Sequence, residues 1–302
     1  MRNKVLAKKR FVLAVNPHGG TKKGLDILEK VKPVFEEAEV EIDIRVTEYA
    51  GHAGEMIRTM DLSDYYGFCV IGGDGTMHEI VNGLLKREDS LRIPIGLIPG
   101  GTGNSFMRDM ECLDPVEATH RIIRGETRPI DAAHITTADG VIWSFNIVGW
   151  GICTDINNRA EKYRWLGESR YTIMTLIEVI RLVRKRAKLI IDGVEDEDDW
   201  VFVLGCNTQH TGKGMKMAPH AKLDDGLIDL VIVRDASRFK LLKMFPKVFD
   251  GSHVEDAIVE YHQVKEFSIL PVVHETLTID GEIIGCTPIH VKMVKGAFDV
   301  FA

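Results

Sequence analysis

The chemistry of this 302-residue chain gathers on Gly72-Gly73-Asp74-Gly75-Thr76, where three glycines surround one carboxylate. An apolar run, residues 68–71, leads in as a short buried strand, and Met77, Ile80, Val81, Leu84 and Leu85 lead away at helical spacing. A glycine turn between strand and helix lets a ligand approach the backbone, because no Cβ stands in the way. The helix start offers amide groups to phosphate oxygens. An aspartate fixed in such a cradle suits a magnesium ion or a proton transfer.

Two further stretches repeat the pattern. Residues 11–15 run into Asn16-Pro17-His18-Gly19-Gly20, followed by a helix from about Leu25. Residues 93–98 deliver Pro99-Gly100-Gly101-Thr102-Gly103-Asn104-Ser105 into a helix near Phe106. Between them, residues 40–47 alternate as a strand and 53–60 read as a helix. Strand–glycine-loop–helix units in this succession predict a doubly wound parallel α/β sheet, whose loops converge at the carboxyl ends of the strands. The loops complete neither the dinucleotide fingerprint, since His78 and Phe106 stand where its last glycine would be, nor the Walker pattern.

These elements have to be positioned by the rest of the chain. Past Arg128-Pro129-Ile130-Asp131 the texture turns to short strands, expected at residues 141–148, 188–191, 200–205, 227–233, 265–270 and 275–279. The expected division is a doubly wound α/β domain over 1–131 and a β-rich domain over 132–302, with the final runs 289–294 and 297–301 able to return to the first domain. One long helix is expected over 169–186, with Ile173, Leu176, Ile177, Ile180 and Val183 on one side and Arg184-Lys185-Arg186 at its end. That stripe reads either as core or as a basic amphipathic surface that docks on a membrane.

A net charge of −7 argues against general nucleic-acid binding, which needs a basic excess. The five cysteines are scattered and lack C-x-x-C spacing, so reduced thiols are expected. With no secretory h-region and no stretch long enough to span a bilayer, the expected location is cytoplasmic, with peripheral contact at a membrane.

Taken together, Asn16-Pro17-x-x-Gly20, Gly72-Gly73-Asp74-Gly75-Thr76, Pro99-Gly100-Gly101-Thr102-Gly103-Asn104, Asp224-Asp225-Gly226-Leu227-x-Asp229 and Asp280-Gly281-Glu282 resemble the diacylglycerol kinase and sphingosine kinase catalytic family. The motifs stand in the family's order and span nearly the whole chain. The resemblance implies an ATP-binding α/β domain over 1–131, a lipid-binding β-sandwich domain over 132–302, and a lipid kinase that transfers the γ-phosphate of ATP, with Mg2+, to a primary hydroxyl of a diacylglycerol-like or sphingoid/ceramide-like lipid. The competing readings are a catalytically silent lipid-binding protein and a soluble-substrate kinase similar to NAD kinase. A lipid and a membrane surface are the implied partners, with a homodimer as the assembly to test.

Position by position, the resemblance places ATP against Asn16, Pro17, Gly19, Gly20, Thr47, Gly72, Gly73, Gly75, Thr76, Glu79, Gly101 and Thr102, with Arg164 and Arg170 on its phosphates. Thr47 reads equally as a strand-end hydroxyl, and the two arginines as surface residues. Phosphoryl transfer to an alcohol calls for a base. Glu282 is the favoured base and Asp74 the favoured holder of metal and phosphate geometry, with the roles reversed as the alternative. Lys222, Asp225 and Leu227 match a second magnesium site, or form a plain polar turn. Asp131 matches a residue that supports the active site. Ser105 and Asn157 stand where relatives carry aspartates. An amide at 157 cannot pair an ammonium as a carboxylate does, which weakens a strict sphingosine reading, and Asp155 is the neighbour able to compensate.

Overall fold

The computed structural model describes residues 9–19, 23–163, 170–212 and 214–302. The chain divides into two units, Met1–Ile130 with Ala297–Ala302, and Asp131–Gly296.

The first unit runs β1 (Arg10–Val15), α1 (Gly24–Glu37), β2 (Glu41–Val46), α2 (His52–Thr59), β3 (Gly67–Gly72), α3 (Asp74–Leu85), β4 (Ile95–Pro99), α4 (Ser105–Asp109) and α5 (Pro115–Arg124). Its strands are parallel in the order β2-β1-β3-β4, and Val300 adds a parallel partner to Ile95. The residues of β3 and β4 are buried throughout, as expected of central strands covered on both faces. Helix α1 supplies Ile27, Leu28, Val31 and Phe35 to one side of this core. On the other, α2 and α3 pack so closely that a Cβ at Gly83 would stand 2.3 Å from the Gly54 carbonyl oxygen. The strand order reverses direction between β1 and β3, the topological switch point at which open α/β sheets bind ligands.

The second unit begins on β5 (Thr127–Thr137) and continues with β6 (Gly140–Ser144), β7 (Ile147–Gly151), α6 (Ile152–Lys162), α7 (Arg170–Arg181), β8 (Lys185–Ile191), β9 (Val194–Trp200), β10 (Phe202–Cys206), β11 (Ile228–Val233), α8 (Arg238–Met244), β12 (Val259–Val264), β13 (Glu266–Pro271), β14 (Thr276–Ile279), β15 (Glu282–Cys286) and β16 (Ile289–Phe301). A six-stranded antiparallel sheet has the order β12-β11-β10-β7-β14-β15, and a second sheet joins β16, β13, β8 and β9. Trp150, Leu230 and Ile279 of the first pack with Leu189, Phe267 and Val291 of the second, the interior of a β-sandwich. The other face of the six-stranded sheet, through Phe202, Leu204 and Val231, buries Val179 of α7 and Leu241 and Met244 of α8.

Two segments differ from their expected form. The run expected as one strand over 141–148 is β6 and β7, interrupted at Phe145-Asn146, whose amides donate to Asp280. The helix expected to reach residue 186 ends at Arg181: Leu182 adopts φ 43° and β8 starts at Lys185. Among the described residues no helix is long and apolar enough to cross a membrane.

Candidate active site

At the switch point the first unit's three loops are joined by short polar contacts. Asn16 Nδ2 donates to Thr76 Oγ1 at 3.0 Å, and the Asn16 Oδ1 accepts the His18 amide at 3.0 Å. The Gly100 amide donates to the Gly72 carbonyl at 2.7 Å. Gly73 and Gly101 lie against each other so tightly that a Cβ on Gly101 would stand 2.6 Å from Gly73 Cα. Here glycine is a packing requirement. Asn104, in the left-handed region at φ 48°, closes the third loop by bonds from its side chain to the amide and carbonyl of Gly101, both 3.0 Å. Pro17, Gly19 and Gly75 are half-buried and Thr102 is exposed.

Asp74 opens α3 and reaches to the next helix. Its Oδ2 accepts the Ser105 amide at 2.9 Å and its Oδ1 the Phe106 amide at 3.2 Å, so both oxygens hold the first turn of α4. Ser105 is buried at 3% exposure. Thr47 is likewise buried, and its hydroxyl donates to the Val15 carbonyl at 3.3 Å, the contact of a strand-end hydroxyl. Glu79 Oε1 accepts the Gly51 amide at 2.8 Å ahead of α2. Burial pushes the Glu79 carboxyl up, while the amides of Gly51, Ala53 and Gly54 pull it down. It lines a groove of about 350 Å³ with Gly51, Gly54, Asn82 and Lys86.

In the second unit, β14 and β15 form a hairpin whose turn residues Asp280 and Gly281 both have positive φ, 52° and 91°. Asp280 is the anchor: its Oδ1 accepts Ser144 Oγ at 2.6 Å, the Asn146 amide at 2.9 Å and the Ile147 amide at 3.1 Å. Glu282, the next residue but one, is exposed. Asn157 on α6 holds the same turn, its Nδ2 donating to Thr278 Oγ1 and to the Gly281 carbonyl, both at 2.7 Å. Its expected role was lipid contact; its donors are committed to the hairpin. Asp155 is no free anion either, because Lys185 Nζ lies 3.0 Å from it and 3.2 Å from Glu275.

Asp131 is wholly buried, its Oδ1 accepting the Gly296 amide at 2.7 Å and its Oδ2 the Gly226 amide at 2.6 Å. It is a strut under the turn at 224–226. Burial pushes Asp131 up, as it does Asp229, and the charge of Asp225 adds to both. Asp225 Oδ1 accepts the Leu227 amide at 2.9 Å, and Lys222 is exposed. Lys222, Asp225 and Leu227 offer one carboxylate and two main-chain carbonyls, oxygen donors of the kind that a hard cation takes. Among the described residues no group of three or more His, Cys, Asp or Glu side chains could hold a metal.

Gly20 and Arg164 lie outside the described residues, as does the side chain of Arg170. The sequence reading passed over the individual roles of Asn104 and Asp280. The available signal was chemical: asparagine before a helix start and Asp-Gly between alternating strands both favour positive φ.

Comparison with known proteins agrees with this geometry. Residues 10–135 match the diacylglycerol kinase catalytic domain, and residues 146–302 match the YegS C-terminal NAD kinase beta sandwich-like domain. Sphingosine kinase 1 of Arabidopsis thaliana is 32% identical over 87% of this chain and 64% of its own length. The chain thus spans just under two thirds of that relative. A diacylglycerol kinase of Mycobacterium tuberculosis is 32% identical over 76% of this chain and 75% of its own. A crystal structure of a diacylglycerol kinase from Bacillus anthracis superposes with a TM-score of 0.80 at 26% identity, covering 97% of this chain and 96% of that one.

Proposed function

This chain belongs to the diacylglycerol kinase and sphingosine kinase family of lipid kinases, and from that premise we propose that it phosphorylates the primary hydroxyl of an uncharged lipid at the expense of ATP. The observation that carries the reading is that each unit supplies one carboxylate, held fast in the first and exposed in the second. Asp74 has both oxygens on amides of α4, whereas Glu282 stands exposed on a hairpin locked by Asp280 and Asn157.

When bound, ATP with Mg2+ supplies the transferable phosphoryl group and neutralises its charge. The Gly73–Gly101 contact leaves no room for a Cβ, which suits loops that must lie directly against phosphate oxygens. Asn16, tied to Thr76, keeps the first loop in register with the second. The α3 N-terminus adds the positive end of a helix dipole. In this reading Asp74 holds phosphate and metal geometry, and Glu282 takes the proton from the acceptor hydroxyl. Mg2+ needs only one or two protein carboxylates when phosphates and water complete its shell, so Asp74 suffices. Lys222, Asp225 and Leu227 are the proposed holders of a second cation.

The preference for an uncharged acceptor follows from α6 and its surroundings. Asn157 spends its amide hydrogens on the hairpin, and Asp155 and Glu275 are both paired with Lys185. An ammonium group would find both carboxylates taken and, at Asn157, only a neutral amide oxygen without a charge to pair it. The test is incubation with radiolabelled ATP, Mg2+ and mixed micelles of diacylglycerol, monoacylglycerol, ceramide or sphingosine, with NAD+ as the soluble acceptor. Label in a neutral lipid, exceeding that in sphingosine, is expected. Label only in NADP, or none, would overturn the reading.

A further inference from the structure

Strand β2 is an edge: it pairs with β1, and its outer side has no strand beside it among the described residues. The direction of its main-chain groups follows from the ladder. The Glu41 amide donates to the Lys9 carbonyl and the Thr47 amide to the Val15 carbonyl, so the odd-numbered residues face β1. Groups alternate along a strand, and Ile42, Ile44 and Val46 therefore turn their amides and carbonyls outward. Open edges invite pairing, and sheets commonly blunt them with proline, lysine or a bulge. Glu41–Val46 contains no proline or lysine, and its register with β1 is unbroken. Val46 is 45% exposed, and with Ile44, Met56 and Met60 it lines a hollow of about 450 Å³ beside the edge.

The side chains of the strand say what fits it. Centred on Ile44, the run Ile42-Asp43-Ile44-Arg45-Val46 is symmetric in apolar character and inverted in charge. Suppose it meets itself antiparallel across a two-fold axis at Ile44. Asp43 then faces Arg45 of the second copy on both sides of the axis, Ile42 faces Val46, and Glu41 faces Thr47. The outward groups of Ile42, Ile44 and Val46 fall opposite one another, as in the pairs that exchange both bonds of an antiparallel ladder. An axis at Asp43 would set Asp43 against itself, and an axis at Arg45 would set Arg45 against itself. Like charges directly opposite are destabilising, so charge selects the axis at Ile44.

Nothing else at the edge opposes this pairing. Glu41 is balanced by Arg10 at 2.9 Å, and Glu48 lies beyond the paired span. Within one chain Arg45 bonds both oxygens of Asp43 at 2.9 Å and holds its carboxyl below the usual range. Tyr65 holds the same carboxylate at 2.7 Å, whereas the Arg45 side chain is half-exposed and can turn to the Asp43 across the axis.

We propose that β2 pairs with β2 of a second copy of this chain, joining two sheets into one across a two-fold axis at Ile44. A strand whose charge inverts about its own centre is complementary to itself, and that is what assigns the occupant. The pairing concerns assembly and stands apart from phosphoryl transfer, so its test uses neither nucleotide nor lipid.

The experiment is sedimentation velocity of the full chain at micromolar concentration, where wild type is expected to be a dimer. Arg45→Glu sets a carboxylate against each Asp43, and Asp43→Arg sets a guanidinium against each Arg45. Each variant alone is expected to be monomeric, its dissociation constant raised about a hundredfold. Mixed in equal amounts, the two are expected to dimerise with each other, because every opposed pair is then of opposite charge. Val46→Pro removes an outward amide that the single chain does not use, and is expected to be monomeric with a melting temperature near that of wild type. A monomeric wild type, variants that remain dimeric alone, or a mixture that stays monomeric while circular dichroism shows both variants folded would each overturn the proposal. Should Asp43→Arg lose its fold with the Tyr65 bond, Val46→Pro decides, and a dimer of that variant overturns it.

Discussion

Asn157 Nδ2 lies 2.7 Å from the carbonyl oxygen of Gly281, so a side chain of α6 fixes the turn that presents Glu282. Replacing it by alanine removes that tie and leaves the buried Thr278 hydroxyl without this partner. Asn157→Ala is expected to cost about 1–3 kcal/mol of stability. With Glu282 as base, it should also lower kcat by about tenfold to a hundredfold, since a misplaced group loses orientation. ATP affinity, measured by titration, stays unchanged.

Glu282→Gln should reduce kcat by about 10²- to 10⁴-fold, the usual span for loss of a general base. Its melting temperature should match wild type, because the side chain is exposed. Asp74→Asn also abolishes turnover, but with a different accompaniment. An amide nitrogen facing the Ser105 or Phe106 amide repels it, so this variant melts lower. Calorimetry beside a turnover assay separates the two carboxylates.

Gly101→Ala probes the cradle directly. The added methyl would stand 2.6 Å from Gly73 Cα, forcing the two loops apart. A cost of about 1–3 kcal/mol is expected from overpacking. The KM for ATP should rise more than the KM for lipid, as steady-state kinetics with each substrate varied would show.

Burial holds Asp229 above the ordinary carboxylate range. Its Oδ1 takes bonds from Tyr261 and Gln263, while its buried Oδ2 has no partner among the described residues. A carboxyl raised by folding binds more protons folded than unfolded. Its contribution therefore falls as pH rises from the unfolded value, about 4, and the loss is complete above the folded value. Asp229→Asn keeps the Oδ1 acceptor and removes the charge. Its melting temperature should gain on wild type as pH is raised from about 4 to about 8. A constant difference across that range would contradict the assignment.

The turn at Asp225 makes a separate prediction. Mg2+ should raise the melting temperature of wild type in the absence of ATP, and Asp225→Ala should remove that increment. The readout is thermal unfolding with and without EDTA.

What the sequence disclosed tracks where one physical signal dominated. β1, β3 and β4 are short apolar runs followed by glycine, so both their existence and the loops they feed could be read directly. The edge strand β9 escaped because Glu195, Asp196, Glu197, Asp198 and Asp199 carry no apolar alternation. Its pairing is visible only in three dimensions, where Lys188 meets Glu195 and Arg186 meets Glu197 across the ladder. Helix α6 escaped for a related reason: Thr154, Asp155, Asn157 and Arg159 give it a polar texture. Motif residues were legible by type, whereas their partners were not: Thr47 bonds the Val15 carbonyl, the Ser105 amide the Asp74 carboxylate, and Asp131 the amides of Gly226 and Gly296, contacts that no local pattern reveals.

The closing stretch Ala297–Ala302 belongs to the unit formed by Met1–Ile130, where Val300 pairs with Ile95. The β-rich half is therefore an internal cassette with two splice points. Exchanging it between relatives to transplant acceptor preference requires lifting out Asp131–Gly296 as a block and rejoining the tail. A simple C-terminal swap would instead strip the Met1–Ile130 half of its outermost parallel neighbour and lay bare the ring of Phe11, against which Phe301 packs.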